Sequence, residues 1–254
     1  MQLALRTDSL TRRFGSFAAV DGLDLIVPSG SLYGFLGPNG AGKSTTIKCL
    51  TGLLRPSSGA MRILDLDPLA DPVEVQRRIG VVPEDLALFD RLTGAETLSF
   101  VGRVHRMEKK IWRERAEELL ALMDLNGSAG TMVADYSHGM RKKLSLAAAL
   151  LPAPQLLFLD EPFEGIDPMA AKQIKDLLTR FVQGGGTVFL TSHILEIVER
   201  LCDQIGIIVS GRLAAQGTLS SLREAGGTSR TLEQVFLEAA GVEIPSTSLP
   251  WLTT

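Results

Sequence analysis

Short apolar runs alternate along most of the chain with segments whose apolar residues recur every three or four positions. Continuous apolar runs are typical of strands buried on both faces, and they occur at residues 31–36, 79–83, 156–159, 187–191 and 205–209. Helical spacing occurs between them, at residues 43–54, 168–182 and 194–202. Strands that alternate with helices predict an α/β fold with a mainly parallel sheet.

Two parts of the chain depart from this alternation. Residues 3–9 and 22–27 alternate apolar and polar positions, and a Pro-Ser-Gly turn follows at 28–30, which predicts strands of a separate kind at the N-terminus. Residues 93–151 carry long helical patterns instead of strands. We therefore predict a helical subdomain inserted at about 93–151 within the α/β domain.

Composition and charge restrict the class of protein. Of the 254 residues, 45% are apolar and 22% are charged, which is ordinary for a globular protein. The net charge of −3 lacks the basic excess typical of nucleic-acid binding, so we expect no nucleic-acid partner. The basic cluster at residues 141–143 is interpreted as a solvated helix face. Cys49 and Cys202 are far apart and are interpreted as small buried hydrophobes in a reducing compartment, the cytosol.

No membrane span is expected from the sequence. The longest uncharged stretch, residues 144–159, is short for a span and contains Pro152 and Pro154. The first eight residues are short, mixed and charged, unlike a signal peptide.

A glycine-rich segment between a predicted strand and a predicted helix has the pattern G-x-x-x-x-G-K-[S/T]. Glycines let backbone N–H groups and the helix N-terminus surround a phosphate, because they have no Cβ. Lys43 would reach the β- and γ-phosphates, Ser44 would ligate Mg²⁺, and Thr45 would contact an inner phosphate. The alternative is a structural glycine-rich turn. The predicted nucleotide-binding residues of this loop are Gly37, Pro38, Asn39, Gly40, Ala41, Gly42, Lys43, Ser44 and Thr45.

An acidic pair follows the predicted strand at 156–159. Asp160 and Glu161 come at its carboxyl end, where ligands bind in open α/β sheets. We predict that Asp160 holds Mg²⁺ and that Glu161 is the general base for the attacking water. An isolated acidic pair would be an ordinary helix cap; the phosphate loop favours the catalytic interpretation.

His193 follows another predicted strand, at residues 187–191, and should reach the same edge of the sheet. A histidine in this position often only caps a helix or packs. Beside a phosphate loop, we predict that its ring holds the γ-phosphate and the attacking water by hydrogen bonds.

Together these motifs resemble the nucleotide-binding subunits of ATP-binding cassette (ABC) transporters. The resemblance covers nearly the whole chain. It implies a P-loop NTPase (RecA-like) core with a mainly parallel sheet, an N-terminal antiparallel β-subdomain and the inserted helical subdomain. We therefore predict an ABC ATPase domain over residues 3–241 and a short C-terminal tail over residues 242–254.

A second motif, Tyr-Ser-His-Gly-Met at residues 136–140, resembles the family's Leu-Ser-Gly-Gly-Gln signature. Ser137 and Gly139 match that signature, whereas His138 and Met140 depart from it. A serine and a glycine at a helix N-terminus offer a hydroxyl and free N–H groups to an anion, although an isolated Ser-x-Gly is usually only a cap. The resemblance implies that the signature binds the γ-phosphate of ATP on an opposite subunit in a head-to-tail dimer.

The resemblance also assigns three single positions. Phe14 stands where the family places an aromatic ring against adenine, with Val20 lining the same pocket; a core phenylalanine fits the sequence as well. Glu84 stands where the family more often has a glutamine that contacts Mg²⁺ and the attacking water. A glutamate keeps the oxygen ligand, adds a charge and removes the amide donor. We predict that Glu84 is a metal-facing and catalytic residue.

The implied function is an ATPase that uses ATP and Mg²⁺ to power a membrane exporter. Glu84, the Ser-x-Gly-Met signature and residues 231–237 resemble an exporter branch that includes drug, antibiotic and polysaccharide efflux. The chain would lie at the cytoplasmic face of the membrane, paired with a second ATPase subunit, either a copy or a related chain. It would dock on a separate permease near residues 84–96.

Two alternatives stay open. ABC proteins that act on ribosomes or DNA usually carry two cassettes, coiled coils or zinc-binding insertions, and the sequence indicates none of these. A degenerate cassette that only binds ATP is disfavoured by Glu161 and His193, but the departures at His138, Met140 and Glu84 are compatible with it.

Overall fold

The computed structural model describes residues 2–224 and 230–241, so the predicted tail at 242–254 lies outside the described residues. A small antiparallel sheet begins the chain and consists of β1 (Leu3–Phe14), β2 (Phe17–Leu23), β3 (Ile26–Pro28) and β5 (Ser58–Ile63). The first strand pairs with the other three. Strand β1 continues past its predicted end at residue 9. Register shifts and a φ of 49° at Ser9 allow different parts of the strand to pair with different partner strands. The predicted antiparallel β-subdomain is confirmed.

A six-stranded sheet forms the centre of the molecule. Its strands are β4 (Leu32–Leu36), β6 (Ile79–Val82), β7 (Leu156–Leu159), β8 (Thr187–Ser192), β9 (Gln204–Val209) and β10 (Arg212–Thr218). Their spatial order is β10-β9-β4-β8-β7-β6, and every pair is parallel except the hairpin of β9 and β10. The predicted mainly parallel α/β architecture is confirmed.

Helices cover the sheet and fill the segment between β6 and β7. They are α1 (Lys43–Leu50), α2 (Pro72–Arg78), α3 (Gly94–Val104), α4 (Lys109–Leu122), α5 (His138–Leu150), α6 (Pro168–Gln183), α7 (Leu195–Leu201), α8 (Leu219–Glu224) and α9 (Leu232–Ala240). The three helices α3, α4 and α5 form the predicted insertion. Across the described ranges, no helix has the length and apolar character needed to cross a bilayer.

Four helices differ from the sequence-based expectation, and for three of them, α2, α8 and α9, no helix was predicted. Helix α1 ends at Leu50, four residues before the predicted end, because the Thr51 hydroxyl donates to the Ile47 carbonyl (2.8 Å) and Gly52 turns the chain with φ 75°. Helix α2 was not predicted, since seven residues are too few to show helical periodicity.

Aromatic rings fill one face of the central sheet. The Phe189 ring lies 5.4 Å from Tyr33, 5.3 Å from Phe35 and 5.6 Å from Phe158, measured between centroids, and all four side chains are buried. Because successive strand residues point to opposite faces, Val188 packs into the hydrophobic core on the other face of the sheet. Burial on both faces explains why these strands read as continuous apolar runs.

Both cysteines are buried free thiols, as predicted. Cys49 packs on the face that carries the N-terminal sheet, and Cys202 packs on the opposite face. Burial raises the pKa of the Cys49 thiol to about 11, so this thiol stays protonated at neutral pH.

The strand register brings three strand ends to one edge. Leu36, the last residue of β4, lies opposite Ser192 of β8, and Leu159, the last residue of β7, lies opposite Leu190 of β8. The segments that leave β4, β7 and β8 therefore begin side by side.

Phe189→Ala should lower the free energy of unfolding by about 3–5 kcal/mol, because it leaves a cavity among three aromatic rings. Urea denaturation measures the change, with Phe17→Ala as control. Phe17 is 63% exposed and its loss should cost less than about 1 kcal/mol. Equal losses for the two variants would contradict the packing described here.

Candidate active site

The loop between β4 and α1 depends on its glycines. Gly42 has φ 109°, and a Cβ at this position would lie 2.3 Å from the carbonyl oxygen of Ala19. Gly40 has φ 79° but faces open space. A side chain at position 42 would therefore meet both backbone strain and a clash. Because α1 begins at Lys43, its free N-terminal N–H groups lie at this loop, where an anion can accept them.

The Lys43 ammonium is buried within its own loop. Its Nζ donates to the Gly37 carbonyl (2.8 Å) and to the Pro38 carbonyl (3.4 Å). It also forms an ion pair with Glu161, with 3.3 Å between Nζ and Oε1. The lysine side chain is only 6% exposed, so its charge is held by this carboxylate and these carbonyl dipoles.

Thr191 of β8 links the acidic pair to the sheet. Its hydroxyl donates to Asp160 Oδ1 (2.6 Å) and accepts a hydrogen bond from the backbone N–H of Glu161 (3.0 Å). The backbone N–H of Asp160 donates to the Val82 carbonyl of β6 (2.9 Å). The acidic pair is therefore held by the strands on both sides of β7.

The Glu161 carboxylate lies between a cation and a histidine. Its Oε2 is 3.0 Å from His193 Nδ1, and its Oε1 faces Lys43. Oε1 accepts no hydrogen bond from the described residues, although the side chain is only 7% exposed. The Glu161 backbone adopts φ 47°, which is unfavourable for a residue with a Cβ. The structure thus brings together Lys43, Glu161 and His193.

A cavity of about 450 Å³ opens beside this cluster. Its wall is formed by Phe14, Phe17, Ala19, Asn39, Gly40, Gly42, Lys43, Ser44, Thr45, Glu84, Glu161, Glu164 and His193. Gly37, Pro38 and Ala41 belong to the loop but not to the wall. Asp160 is buried and does not belong to the wall. Within the described residues, no group of three His, Cys, Asp or Glu side chains could hold a metal by itself.

Val20 does not line the cavity, contrary to the sequence-based prediction. Side chains alternate along β2, so Phe17 and Ala19 face the cavity while Val20, with no exposed surface, packs in the core. Phe14 is on the wall and 48% exposed, and the Arg12 guanidinium carbon lies 4.5 Å from its ring centroid. Only the phase of β2 could have identified Phe17 and Ala19.

Ser137 and Gly139 lie outside the wall of this cavity. Ser137 is exposed and caps α5, with its hydroxyl accepting from the Met140 N–H (3.2 Å). Gly139 faces Asp167, whose Oδ2 would be 3.6 Å from an added Cβ. The signature residues of a chain therefore do not line the cavity beside its own phosphate loop.

Lys142 is not part of a solvated basic face, contrary to the interpretation of residues 141–143. It is 5% exposed, and its Nζ donates to the backbone carbonyls of Glu161 (2.7 Å) and Glu164 (2.6 Å). The helical phase could have indicated this position, because Lys142 lies on the same stripe of α5 as the buried Ser145 and Leu146.

Comparison with known proteins places this site in a family. A profile described as ABC transporter matches residues 20–164. A daunorubicin/doxorubicin resistance ATP-binding protein of Streptomyces peucetius is 42% identical over 225 residues, which cover 89% of this chain and 68% of the relative. A bacitracin transport ATP-binding protein of Bacillus licheniformis is 36% identical over 225 residues, which cover 88% of this chain and 72% of the relative.

A solved structure agrees with these sequence matches. The ATP-binding subunit of an ABC transporter superposes with a TM-score of 0.87 and 30% identity, covering 93% of this chain and 99% of that chain. The fold and the phosphate loop define a P-loop ATPase. The chain belongs to the ABC transporter family, as an ATP-binding subunit.

Gly42→Ala should lower the free energy of unfolding by roughly 2–5 kcal/mol, because it adds backbone strain and a clash with the Ala19 carbonyl. It should also weaken ATP binding, since the loop must shift to relieve the clash. Gly40→Ala, which adds strain without a clash, should cost only about 1 kcal/mol. Chemical denaturation and ATP titration of both variants measure these effects; equal costs would refute the role given to the close approach at Gly42.

Proposed function

We propose that the chain is the ATP-hydrolysing motor subunit of a membrane exporter, with Glu161 as general base. The observation that carries this proposal is the Glu161 carboxylate, held between Lys43 and His193 at the wall of the phosphate-loop cavity. The relatives' names refer to drug resistance and to bacitracin transport, which supports an antibiotic-like cargo for this chain.

In the first step of hydrolysis, the phosphates of ATP compete with Glu161 for the ammonium of Lys43. The phosphates of ATP attract its ammonium away from Glu161, because they carry more negative charge than one carboxylate. Glu161 Oε1, which accepts no hydrogen bond from the described residues, then accepts the proton of the attacking water. His193, paired with Oε2, orients the carboxylate and donates toward the γ-phosphate.

The oxygen donors around the cavity fit Mg²⁺. Ser44 and Glu84 are on the wall, and Asp160 is buried next to Glu161, which is also on the wall. Magnesium at phosphoryl-transfer sites is usually held by one or two carboxylates, waters and the substrate phosphates, so a complete protein cage is not required. When bound, Mg²⁺ neutralises charge that develops on the phosphate oxygens. Ser44 and Glu84 would hold it, with Asp160 acting through water.

The nucleotide site is completed by a second subunit in this proposal. Phe14 on the wall stacks on adenine, and the loop over residues 37–45 binds the phosphates. Ser137 and Gly139 lie outside this wall and are free to face the ATP of a partner. The proposed unit is a single ABC ATPase domain over residues 3–241, with its helical subdomain at about 93–151.

Glu161→Gln should slow ATP hydrolysis by roughly 10²–10⁴-fold, because an amide cannot accept the proton of the attacking water. ATP binding should persist, and the protein should accumulate as a dimer in MgATP. Phosphate release and size-exclusion chromatography measure both effects. Glu118→Gln makes the same chemical change on the exposed face of α4 and should leave turnover unaltered. Undiminished hydrolysis by Glu161→Gln would refute the base assignment.

An apolar groove of about 930 Å³ lies between α2, α3 and the loop after β6. Phe89 and Phe100 meet edge to face across 5.3 Å, and Val104 is 60% exposed beside them. Arg77 and Arg106 lie at the same groove. We propose that it receives a helical segment of the permease with an apolar face and acidic flanks.

The groove is connected to the nucleotide cavity by one loop, so a permease docked in the groove can influence the nucleotide site. The loop over residues 83–89 lines both spaces: Glu84 faces the nucleotide cavity, whereas Leu86 and Phe89 face the groove. Leu86 has φ 55°, so the loop has a specific and strained shape. Movement at the groove therefore reaches Glu84 through a few residues. Docking here places the chain at the cytoplasmic face of the membrane.

Phe100→Ser should reduce recovery of the chain with its membrane-embedded partner by about tenfold, since one buried aromatic anchor is commonly worth that much. Crosslinking in native membranes, followed by mass spectrometry of the crosslinked membrane protein, measures recovery. Ile26→Ser removes an equally exposed apolar side chain from β3 and should leave recovery unchanged. Equal recovery of both variants would argue against docking in this groove.

A further inference from the structure

Lys142 has an unusual environment for a lysine. Its side chain is 5% exposed, and burying an ammonium is costly unless acceptors and negative charge compensate for it. Burial lowers the pKa of Lys142, while the carboxylates of Glu164, Glu161 and Glu84 oppose that shift. A methionine or leucine would fill the same space without this cost. The hydrogen bonds of this ammonium therefore indicate its role in the structure.

The two acceptors of Lys142 are the first and last residues of a turn within the loop that follows β7. Its Nζ donates to the carbonyl oxygens of Glu161 (2.7 Å) and Glu164 (2.6 Å). The Glu164 N–H donates to the same Glu161 carbonyl (3.3 Å), so these residues form a turn. One ammonium thus binds the carbonyl oxygens of both the first and the last residue of this turn.

This clamp supports the strained backbone of Glu161. A φ of 47° on a residue with a Cβ is strained and persists only where neighbours impose it. The Glu161 N–H donates to Thr191, and its carbonyl accepts from Lys142. Both sides of the residue are therefore fixed, and so is the direction in which the carboxylate leaves the backbone.

Helix α5 touches the loop a second time. His138 lies four residues before Lys142, one helical turn away on the same face, and its ring would be 3.3 Å from a Cβ added at Gly165. Ser137, the cap of α5, stands just before His138. A helix is stiff over this length, so a shift of its N-terminus moves Lys142 and, through it, the turn at Glu161.

We propose that Lys142 is a positioning residue that ties helix α5 to Glu161, so that hydrolysis depends on where the signature residues of the same chain are bound. The inference rests on the proposed function, in which Ser137 and Gly139 contact the ATP of a partner subunit. When Ser137 and Gly139 bind the ATP of the partner subunit, Lys142 then transmits the position of α5 to Glu161, the general base of the chain's own site.

The test compares Lys142→Met with Lys143→Met, the neighbouring lysine whose side chain is less buried. Lys142→Met should lower kcat for ATP by about 10–100-fold, as expected for a misplaced catalytic group, with KM changed less than about threefold. It should also accumulate as an ATP-bound dimer in MgATP. Lys143→Met should stay near the wild-type kcat.

Hydrogen exchange provides a readout that does not depend on turnover. Backbone amides of Glu161 and of residues 163–165 should exchange faster in Lys142→Met than in the wild type, and Lys143→Met should leave them unchanged. If Lys142→Met fails to fold, the shorter and uncharged Lys142→Gln is held to the same criteria.

A kcat near the wild-type value, or an equal loss of kcat and ATP affinity, overturns the positioning role. Unchanged exchange at Glu161 and at residues 163–165 also overturns it. Failure of the proposed function gives a different pattern: wild-type protein that does not hydrolyse ATP, or Glu161→Gln that hydrolyses it normally. In that case the exchange experiment still decides whether Lys142 holds the turn.

Discussion

Parallel pairing of β4, β8 and β7 is the constraint on which the rest of the molecule depends. Pairing in register brings the phosphate loop, the Asp160–Glu161 pair and His193 to one edge of the sheet. Both faces of these strands are buried, so a slip by one residue would move the aromatic cluster around Phe189 into the differently shaped core on the opposite face. The requirement for a packed core thereby fixes the relative positions of groups that belong to the site.

Compensation of buried charge organises the site itself. Glu161 faces Lys43 and His193 with its carboxylate and Lys142 with its backbone carbonyl, and both lysines are almost completely buried. Each of these groups would be costly alone, because charges in a low-dielectric interior need partners. The proposed reaction uses this arrangement: ATP phosphates replace one partner of Lys43, and a carboxylate that was paired becomes available to water.

Most of the fold, and the chemistry-bearing residues of the core site, could be predicted from the sequence. Apolar runs identified the five parallel strands, because burial on both faces leaves a strong signal. Helix α2 was missed because it is too short for a periodic pattern. Val20 was assigned to the pocket by resemblance, but the phase of β2 turns its side chain into the core. The burial of Lys142 was not predicted, because the composition of the basic run at residues 141–143 favours a solvated helix face.

By itself, the sequence determined the phosphate loop, the acidic pair after β7 and the alternation that forms a parallel sheet. These are local signals: glycines where backbone must approach a ligand, and apolar runs where strands are buried. Only the tertiary structure decided that Glu161 adopts a left-handed backbone, that Lys142 holds it, and that Ser137 and Gly139 do not line the nucleotide cavity of their own chain. These features depend on contacts between distant segments, which no local pattern encodes.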